Sequence, residues 1–290
     1  MSLRSSWASA AQCSDSRDAP SLELGGLLPH FPGMNEGFPK HALVTGAARR
    51  IGRAIATALA QDGWTVGIHH ASSQAEADIL AKELANSGHQ AYPIAADLSD
   101  DPQAGSLVEK AVELGGPVSC LVNNASVFER DSVETVSRDS WDRHMDVNLW
   151  APVRLSQAFA AALPDRMTGN IINIVDQRVV SIPPDFLSYT ISKSGLWSAT
   201  QGLSLALAPR IRVNAIGPGP VLPSPRQSQK QFDRQAERMP LGHGADPDEI
   251  ARGVLFVLST PSMTGQMVAL DGGQHLGWDF PDPDAPPIEE

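Results

Sequence analysis

Cysteine is scarce in this chain, which has two cysteines in 290 residues, Cys13 and Cys120. Two cysteines are too few for a disulfide framework, and Cys120 lies in the apolar run Val118–Val122, so we expect a reduced, buried thiol. Long apolar runs are also lacking, since no stretch approaches the ~20 residues that span a bilayer. Basic residues number 22 against 33 acidic ones, and the net charge of -11 disfavours nucleic acid and anionic membranes as main partners. These properties fit a cytoplasmic enzyme with a small-molecule substrate.

The two ends of the chain differ in composition from its middle. Residues 1–39 are rich in Ser, Ala, Gly and Pro and show no sustained hydrophobic period, which predicts a flexible arm. Met1–Cys13 lacks the continuous apolar core of a secretory signal. Residues 279–290 are acidic and Pro-rich and are predicted to form an extended tail. The folded domain is therefore predicted over residues 40–278.

Between these ends, short apolar runs alternate with segments of helical period. Strands are predicted at His41–Thr45, Thr65–His69, Tyr92–Ala95, Val118–Asn123, Asn170–Val175, Arg212–Ile216 and Met267–Leu270. Helices are predicted from Ile51 to Gly63, from the capping-box spacing at Ser73 to near Gly88, and at Pro102–Leu114, Trp141–Ala162, Tyr189–Leu207 and Pro247–Leu258. Continuous apolar strands separated by helices predict an α/β fold. We expect one Rossmann-like, doubly wound domain with about seven parallel strands and helices on both faces.

The segment between the first strand and the first helix, Thr45–Gly52, has the composition of a phosphate-binding turn. Small residues let backbone N–H groups approach a pyrophosphate, and the helix N-terminus adds about half a positive charge. The predicted cofactor contacts in this turn are Gly46, Arg49, Arg50, Ile51 and Gly52. Two glycines are weak evidence by themselves, and an ordinary tight turn is the alternative interpretation.

The end of the second strand indicates which dinucleotide binds. A fold that binds NAD usually carries an acid about 20 residues past the turn, where it holds the ribose hydroxyls. Here the strand ends His69-His70-Ala71-Ser72-Ser73, without the carboxylate that would repel the 2′-phosphate of NADP. The missing acid and the nearby Arg49 predict NADPH, with His69, Ser72 and Ser73 in contact with it. The alternative for the two histidines is a solvated strand end.

Tyr189 and Lys193 are four residues apart in a predicted helix and therefore share one face. A phenol has a pKa near ~10, and a neighbouring ammonium lowers that pKa by stabilising the phenolate. The pair is therefore a candidate proton donor for hydride transfer. This spacing is common, and a surface pair on a helix is the alternative interpretation.

With these motifs the chain resembles the short-chain dehydrogenase/reductase family over residues 40–278. The resemblance also rests on Asp97-Leu98, Asn123-Asn124-Ala125-Ser126, Asn148, Gly217-Pro218-Gly219 and Asp271-Gly272-Gly273. It implies that Asp97 and Leu98 contact adenine, and that Asn124, Ala125, Pro218, Gly219, Tyr189 and Lys193 also contact the cofactor. It further implies that Asn148 holds a water linking Lys193 to solvent, and that residues 221–239 cover the substrate. A homotetramer built partly on the helices Trp141–Ala162 and Tyr189–Leu207 is implied as well.

Three departures from the family pattern are informative. Arg50 replaces the middle glycine of the turn, Ser126 replaces the last residue of Asn-Asn-Ala-Gly, and Asp176 replaces the serine thirteen residues before the tyrosine. Together with the aromatic Phe128, they resemble the pteridine reductases, although Ser72 stands where those enzymes use a basic residue. The resemblance implies a dihydropterin or dihydrofolate-type substrate contacted by Arg50, Ser126, Phe128, Asp176 and Tyr189.

The chemistry of these residues favours the same substrate. Phe128 could stack on a flat heterocycle, and a carboxyl beside a phenol can supply the proton that reduction of a C=N bond requires. An ionised Asp176 would instead repel the oxyanion that develops from a carbonyl.

Alternatives remain open at each position. Asp176 could cap the following segment, Phe128 could be core packing, and Arg50 could contact only phosphate. A reductase of a ketone or 3-oxoacyl thioester is the second hypothesis, and a non-catalytic NADPH sensor is the third. No metal is predicted.

Overall fold

The computed structural model describes residues 40–224 and 226–277, so the predicted arm and tail lie outside the described residues. The strands are β1 (His41–Val44), β2 (Thr65–His70), β3 (Ala91–Ala95), β4 (Cys120–Asn123), β5 (Gly169–Ile174), β6 (Ile211–Pro218) and β7 (Met267–Leu270). The helices are α1 (Arg50–Gln61), α2 (Gln74–Asn86), α3 (Asp101–Gly115), α4 (Arg138–Met145), α5 (Ala151–Ala162), α6 (Leu187–Ala206), α7 (Gln229–Glu237) and α8 (Pro247–Ser259). Two single-turn 3₁₀ helices, Gln177–Val179 and Gln274–Leu276, follow β5 and β7.

The seven strands form one parallel sheet in the order β3-β2-β1-β4-β5-β6-β7. The chain moves outward in one direction from β1 to β3 and then returns to continue in the other direction from β4. Ligands of such sheets bind beyond the carboxyl ends of the strands at this reversal. The predicted doubly wound α/β fold is therefore confirmed, and the reversal between β1 and β4 places the candidate site.

Apolar side chains fill both faces of the sheet. On one face α1, α2 and α8 pack through residues such as Ile55, Leu80 and Val254. On the other face α3 and α5 pack through Leu107 and Phe159, all with less than 2 % of their surface exposed. A fully buried leucine or phenylalanine contributes roughly 1.5–3 kcal/mol through burial, so these two layers hold the strand ends in place.

Some local predictions from the sequence differ from the structure. Ser73 precedes α2 but its side chain makes no capping hydrogen bond, so the predicted capping box is wrong. The predicted helix Trp141–Ala162 is interrupted by a π-helical turn at Asp146–Trp150, which inserts an extra residue. Strand β4 starts two residues later than predicted. The region 221–239 contains α7, whose capping box at Ser228 the sequence analysis did not identify.

Cys120 lies in β4 with no exposed surface, as predicted for a reduced, buried thiol. Burial raises the pKa of this thiol to about 12, so it stays protonated and unreactive at neutral pH. Within residues 40–224 and 226–277, no helix is both long and apolar enough to cross a bilayer.

Candidate active site

The turn after β1 is fixed by hydrogen bonds from its neighbours. The backbone N–H of Gly46 donates to Nδ1 of His69 (3.0 Å), and the amide of Asn124 donates to the carbonyl of Thr45 (2.8 Å). Gly46 has φ +61°, a left-handed conformation that glycine adopts without strain. A Cβ added at Gly52 would lie 2.2 Å from the Gly46 carbonyl oxygen, so α1 can approach the turn only with glycine there.

A cavity of about 640 Å³ opens beyond this turn and fits a dinucleotide. Most predicted cofactor contacts line it: Gly46, Arg49, Arg50, Ile51, Gly52, His69, Ser72, Ser73, Asp97, Leu98, Asn124 and Ala125. Arg49, the residue before α1, makes no side-chain capping bond, and the first turn of α1 contains no acid. The partial positive charge of the helix end therefore faces this cavity without a competing carboxylate from its own first turn.

Four predicted cofactor contacts do not line the larger cavity: Pro218, Gly219, Tyr189 and Lys193. Gly219 lines a second, smaller cavity, and Pro218 lines neither of the two. Ser126, which was predicted to contact substrate, instead lines the larger cavity. Because Ser126 follows β4 at the chain reversal, its side chain faces the cofactor side of the site.

The two histidines at the end of β2 have different surroundings. The ring of His69 is 1% exposed, accepts from Gly46 and faces the Ala96 carbonyl through Nε2 (3.1 Å), so it supports the turn. Burial lowers the pKa of His69 to about 4. His70 also lines the larger cavity, and both of its ring nitrogens are buried without a hydrogen-bond partner. The sequence analysis named His69 as a cofactor contact and missed His70, which follows directly.

Arg49 carries an exposed guanidinium beside the cavity and pairs with Glu76 at 3.5 Å. Such an exposed pair contributes little to stability, so an anionic ligand can compete for the arginine. Asp97 also lines this cavity, and hydrogen bonds from Ser99 lower the pKa of its carboxyl group. The adenine contact predicted for Asp97 is compatible with this position.

Tyr189 and Asp176 are joined directly, as the sequence analysis anticipated for a proton-delivery pair. The Tyr189 hydroxyl donates to Oδ2 of Asp176 at 2.7 Å, and both residues line the smaller cavity. The ammonium of Lys193 donates to the Ile174 carbonyl (2.8 Å) and lies 5.9 Å from the centre of the tyrosine ring. Burial lowers the pKa of Lys193 to about 8, while the charge of Asp176 opposes that shift.

Asn148 lies in the π-helical turn, and its side-chain hydrogen-bonding capacity is used within the protein. Its Nδ2 donates to the Val127 carbonyl (2.9 Å) and to Oγ of Ser192 (3.1 Å). Its Oδ1 accepts from the Val127 amide (2.8 Å) and from the Ser126 hydroxyl (3.2 Å). An amide has two hydrogens and two lone pairs, so these four bonds use the whole side chain to hold the segment after β4, and the water contact of Asn148 stays a prediction.

Phe128 forms one wall of the smaller cavity, whose volume is about 190 Å³. Its ring stacks on Phe186, with centroids 4.7 Å apart and planes 1° from parallel, and meets the Tyr189 ring edge-on at 4.7 Å. Phe128 therefore both faces the cavity and packs against neighbours, which combines the two interpretations left open by the sequence. Phe186, with φ +59°, was missed because no periodic pattern marks the loop that contains it.

Arg50 lines both cavities. Its backbone keeps φ +54°, the left-handed conformation that the family's glycine would adopt without strain. Its guanidinium donates to the carbonyls of Pro223 (3.0 Å) and Leu222 (3.2 Å). Arg50 thereby joins the cofactor turn to the loop over the smaller cavity, a role that the sequence did not indicate.

Arg178 is a second cation of the smaller cavity that sequence reasoning missed. Its guanidinium lies 4.7 Å from the centre of the Phe186 ring and 5.3 Å from that of Phe128. It is also 3.9 Å from Oδ2 of Asp176, and its backbone N–H donates to Oδ1 of that carboxylate at 2.8 Å. The sequence did contain an indication of this role, because Arg178 lies two residues past Asp176, at the sheet edge where such folds bind ligands.

A buried polar cluster supports the loop that carries the aromatic wall. The carboxylate of Asp131 accepts from the Ser188 hydroxyl, from the Ser188 backbone N–H (3.1 Å) and from the Ser140 hydroxyl (2.9 Å). Nδ1 of His144 lies 2.8 Å from Oγ of Ser188, and its Nε2 accepts from the Glu129 amide (3.1 Å). Because Ser188 has no exposed surface, this serine, histidine and aspartate position the loop and present no nucleophile.

Comparison with known proteins places this geometry in a family. The family model described as enoyl-(acyl carrier protein) reductase matches residues 46–275, which include the turn, Asp176, Tyr189 and Lys193. The chain belongs to the short-chain dehydrogenase/reductase family. It is an oxidoreductase, and the family indicated by its sequence motifs is confirmed.

Three relatives show how far the similarity extends. The structure resembles that of FolM alternative dihydrofolate reductase 1 from Brucella canis, solved with NADP, with a TM-score of 0.81 and 48% identity over 83% of this chain and 96% of that one. An uncharacterised oxidoreductase of Methylorubrum extorquens is 36% identical over 81% of this chain and 97% of its own length. A 3-oxoacyl-(acyl-carrier-protein) reductase of Thermotoga maritima is 32% identical over 81% and 97%. The relatives of this reductase therefore differ in the substrates that their names state.

Proposed function

We propose that this chain is an NADPH-dependent reductase that transfers a hydride to a pterin-type substrate, a dihydropterin or a dihydrofolate. The observation that carries the proposal is the 2.7 Å hydrogen bond between Tyr189 and Asp176 beside the aromatic wall of the smaller cavity. A phenol joined to a carboxylate suits protonation of a ring nitrogen, and Phe128 supplies a surface for a flat ring. The similarity to a solved structure described as an alternative dihydrofolate reductase supports the same substrate class.

The larger cavity holds the residues that would bind NADPH. The amides of the Gly46–Gly52 turn and the N-terminus of α1 suit the pyrophosphate, while Arg49, Ser72 and Ser73 suit the 2′-phosphate. When bound, NADPH supplies the hydride. The Brucella canis structure was solved with NADP, in agreement with the cofactor indicated by the missing acid after β2.

The protein contributes the proton and its control. The Tyr189 hydroxyl donates its one proton to Asp176, so the proton is held between two groups that both line the cavity and would pass to the substrate nitrogen when that nitrogen replaces Asp176 as the acceptor. Lys193 places a positive charge behind the phenol ring and would stabilise the phenolate left after transfer. Arg178 lies beside both side chains and would balance the negative charge that gathers there.

The second candidate is reduction of a 3-oxoacyl thioester, and the similarity to the Thermotoga maritima reductase favours it. In that reaction a carbonyl oxygen becomes negative, and the site would have to stabilise an oxyanion. The Tyr189 hydroxyl donates its hydrogen bond to the carboxylate of Asp176, and a carboxylate repels an oxyanion. The geometry therefore fits a nitrogen heterocycle better.

The test is NADPH oxidation, followed by absorbance, with dihydrobiopterin, dihydrofolate and an acetoacetyl thioester compared at equal concentrations. We expect kcat/KM for at least one of the two nitrogen heterocycles to exceed that for the thioester by about a hundredfold or more. Turnover of the thioester alone would rule out the pterin assignment. Equal kcat/KM with NADH would rule out the role given to Arg49.

We also propose that the reductase is a cytoplasmic homotetramer, as the sequence resemblance implies. The half-exposed Trp150 at the start of α5 lies on one of the helices expected at the subunit interface. Large apolar side chains left at a surface favour association, which supports this arrangement.

A further inference from the structure

The smaller cavity contains buried polar atoms that the protein leaves without partners. Oε1 of Gln177, Oε1 of Gln274 and Oγ of Ser224 are all buried, make no hydrogen bond, and belong to residues that line this cavity. Buried side-chain oxygens are nearly always hydrogen-bonded in native proteins, because loss of water without a replacement costs free energy. Three such atoms around one cavity therefore indicate a ligand that supplies the missing donors.

The two glutamines lie on a common structural unit. Gln177 begins the 3₁₀ turn Gln177–Val179 and Gln274 begins the 3₁₀ turn Gln274–Leu276, and the two turns contact each other. Each turn is preceded by an aspartate that accepts backbone N–H groups: Asp176 from Arg178 (2.8 Å), and Asp271 from Gly273 (3.0 Å). These bonds fix the backbone of both turns, from which the two glutamine side chains extend to the cavity.

Each carboxylate oxygen of Asp176 already accepts one hydrogen bond within the protein, Oδ1 from the Arg178 backbone and Oδ2 from Tyr189. The two glutamine oxygens accept none and are available for N–H donors of a substrate. A ketone or thioester presents an acceptor at its reacting end, whereas an amino-substituted nitrogen heterocycle presents several donors along its edge.

We infer that Gln177 and Gln274 form a hydrogen-bonding subsite that selects an amino-substituted nitrogen heterocycle by accepting from its N–H groups. This inference rests on the proposed function, and it assigns the substrate selectivity of that site to two residues outside the proton-delivery group. The subsite acts on binding, so its loss should raise Kd and KM more than it lowers kcat.

The experiment measures binding of oxidised pterin to the enzyme with NADP⁺, by quenching of pterin fluorescence, alongside KM and kcat for dihydrobiopterin. Gln177→Leu and Gln274→Leu each remove the acceptor and should raise Kd and KM by about tenfold, with kcat changed by less than about threefold. Gln177→Glu and Gln274→Glu keep an acceptor and remove the amide donor, so they should bind pterin within about threefold of wild type. Gln201→Leu, at an exposed position of α6, is the matched control.

Each outcome decides the inference. Loss of pterin affinity in the leucine variants, with recovery in the glutamate variants and unchanged thermal unfolding, supports it. Leucine variants that bind pterin as wild type does overturn it, while dihydrobiopterin turnover by wild type leaves the proposed function intact. A wild-type enzyme that binds no pterin and reduces neither dihydrobiopterin nor dihydrofolate overturns both.

Discussion

Around the larger cavity, main-chain groups form the binding surface, and their hydrogen bonds to His69 and Asn124 fix the turn. Around the smaller cavity, by contrast, side chains from the segment after β5, α6, two 3₁₀ turns and the loop after β6 converge, and three of their oxygens have no hydrogen-bond partner. The backbone groups of the first surface suit the pyrophosphate of any dinucleotide, and only the part lined by Arg49, Ser72 and Ser73 depends on side chains. The second depends on the identity of each side chain, so substrate selectivity can change there while cofactor binding persists.

The largest expected effect is the loss of kcat on substitution of Tyr189, which lines the smaller cavity and not the larger one. Tyr189→Phe removes the hydroxyl that donates to Asp176 and should lower kcat by roughly a thousandfold, because general acid catalysis by a placed group contributes about 10²–10⁴-fold. NADP⁺ affinity, measured by titration calorimetry, should stay unchanged because Tyr189 does not line the larger cavity. Tyr92→Phe alters the other tyrosine, whose hydroxyl bonds His41 in the interior, and should keep kcat. A Tyr189→Phe enzyme with wild-type kcat would remove the proposed acid.

A smaller effect is expected on the pH dependence of stability through His69, which lines the larger cavity. Its pKa is about 4 in the folded protein and about 6.5 when unfolded, so the unfolded chain binds a proton first as the pH falls. The contribution of neutral His69 to the free energy of unfolding is complete above pH ~6.5. It is lost between about pH 6.5 and 4, by at most about 3 kcal/mol. Urea unfolding at a series of pH values measures this loss.

His69→Asn has no imidazole to titrate, so its free energy of unfolding should depend less on pH in that window than that of wild type. Burial also lowers the pKa of His41, which makes both proteins lose stability as the pH falls. The difference in pH dependence between the two proteins therefore reports on His69. His243→Asn, at an exposed position, should reproduce the wild-type dependence. Identical pH dependence of wild type and His69→Asn would contradict a neutral His69 that supports the turn.

The smallest effect concerns Arg50, which contacts both cavities. Arg50→Gly and Arg50→Ala both remove the bonds to the loop carbonyls, and each should raise KM for NADPH and for substrate by about tenfold. At φ +54° alanine is strained and glycine is not, so the glycine variant should be more stable than the alanine variant by about 1 kcal/mol. Steady-state kinetics and thermal unfolding of the pair check both statements. Equal stability of the two variants would mean that the backbone relaxes at this position.

The contrast between the cavities also explains what the sequence could predict. Strand and helix periodicity located all seven strands and the helix with Tyr189 and Lys193, because burial on a regular element repeats along the chain. The turn was found for the same reason, since its place between β1 and α1 is fixed by the order of elements. These features depend on contacts that are local or that every fold of this class shares.

The residues that the sequence analysis missed depend on contacts between distant segments. Arg178 and Gln274 line the smaller cavity from two parts of the chain, Phe186 stacks on the cavity residue Phe128, and none of the three lies in a periodic segment. Asn148 was found by its motif, but the bonds that occupy its amide come from the loop after β4 and from α6. Such roles follow from tertiary placement, which a one-dimensional pattern does not contain.

The π-helical turn Asp146–Trp150 limits how this chain can vary in length. The extra residue in that turn sets the rotation of α4 against α5 and directs Asn148 at Val127 and Ser126. Removing one residue would restore α-helical geometry and rotate the preceding helix by about 100° about its axis. Deletion of a single residue from this turn would therefore displace Ser126 and Val127, which line the larger cavity directly before Phe128 in the smaller one.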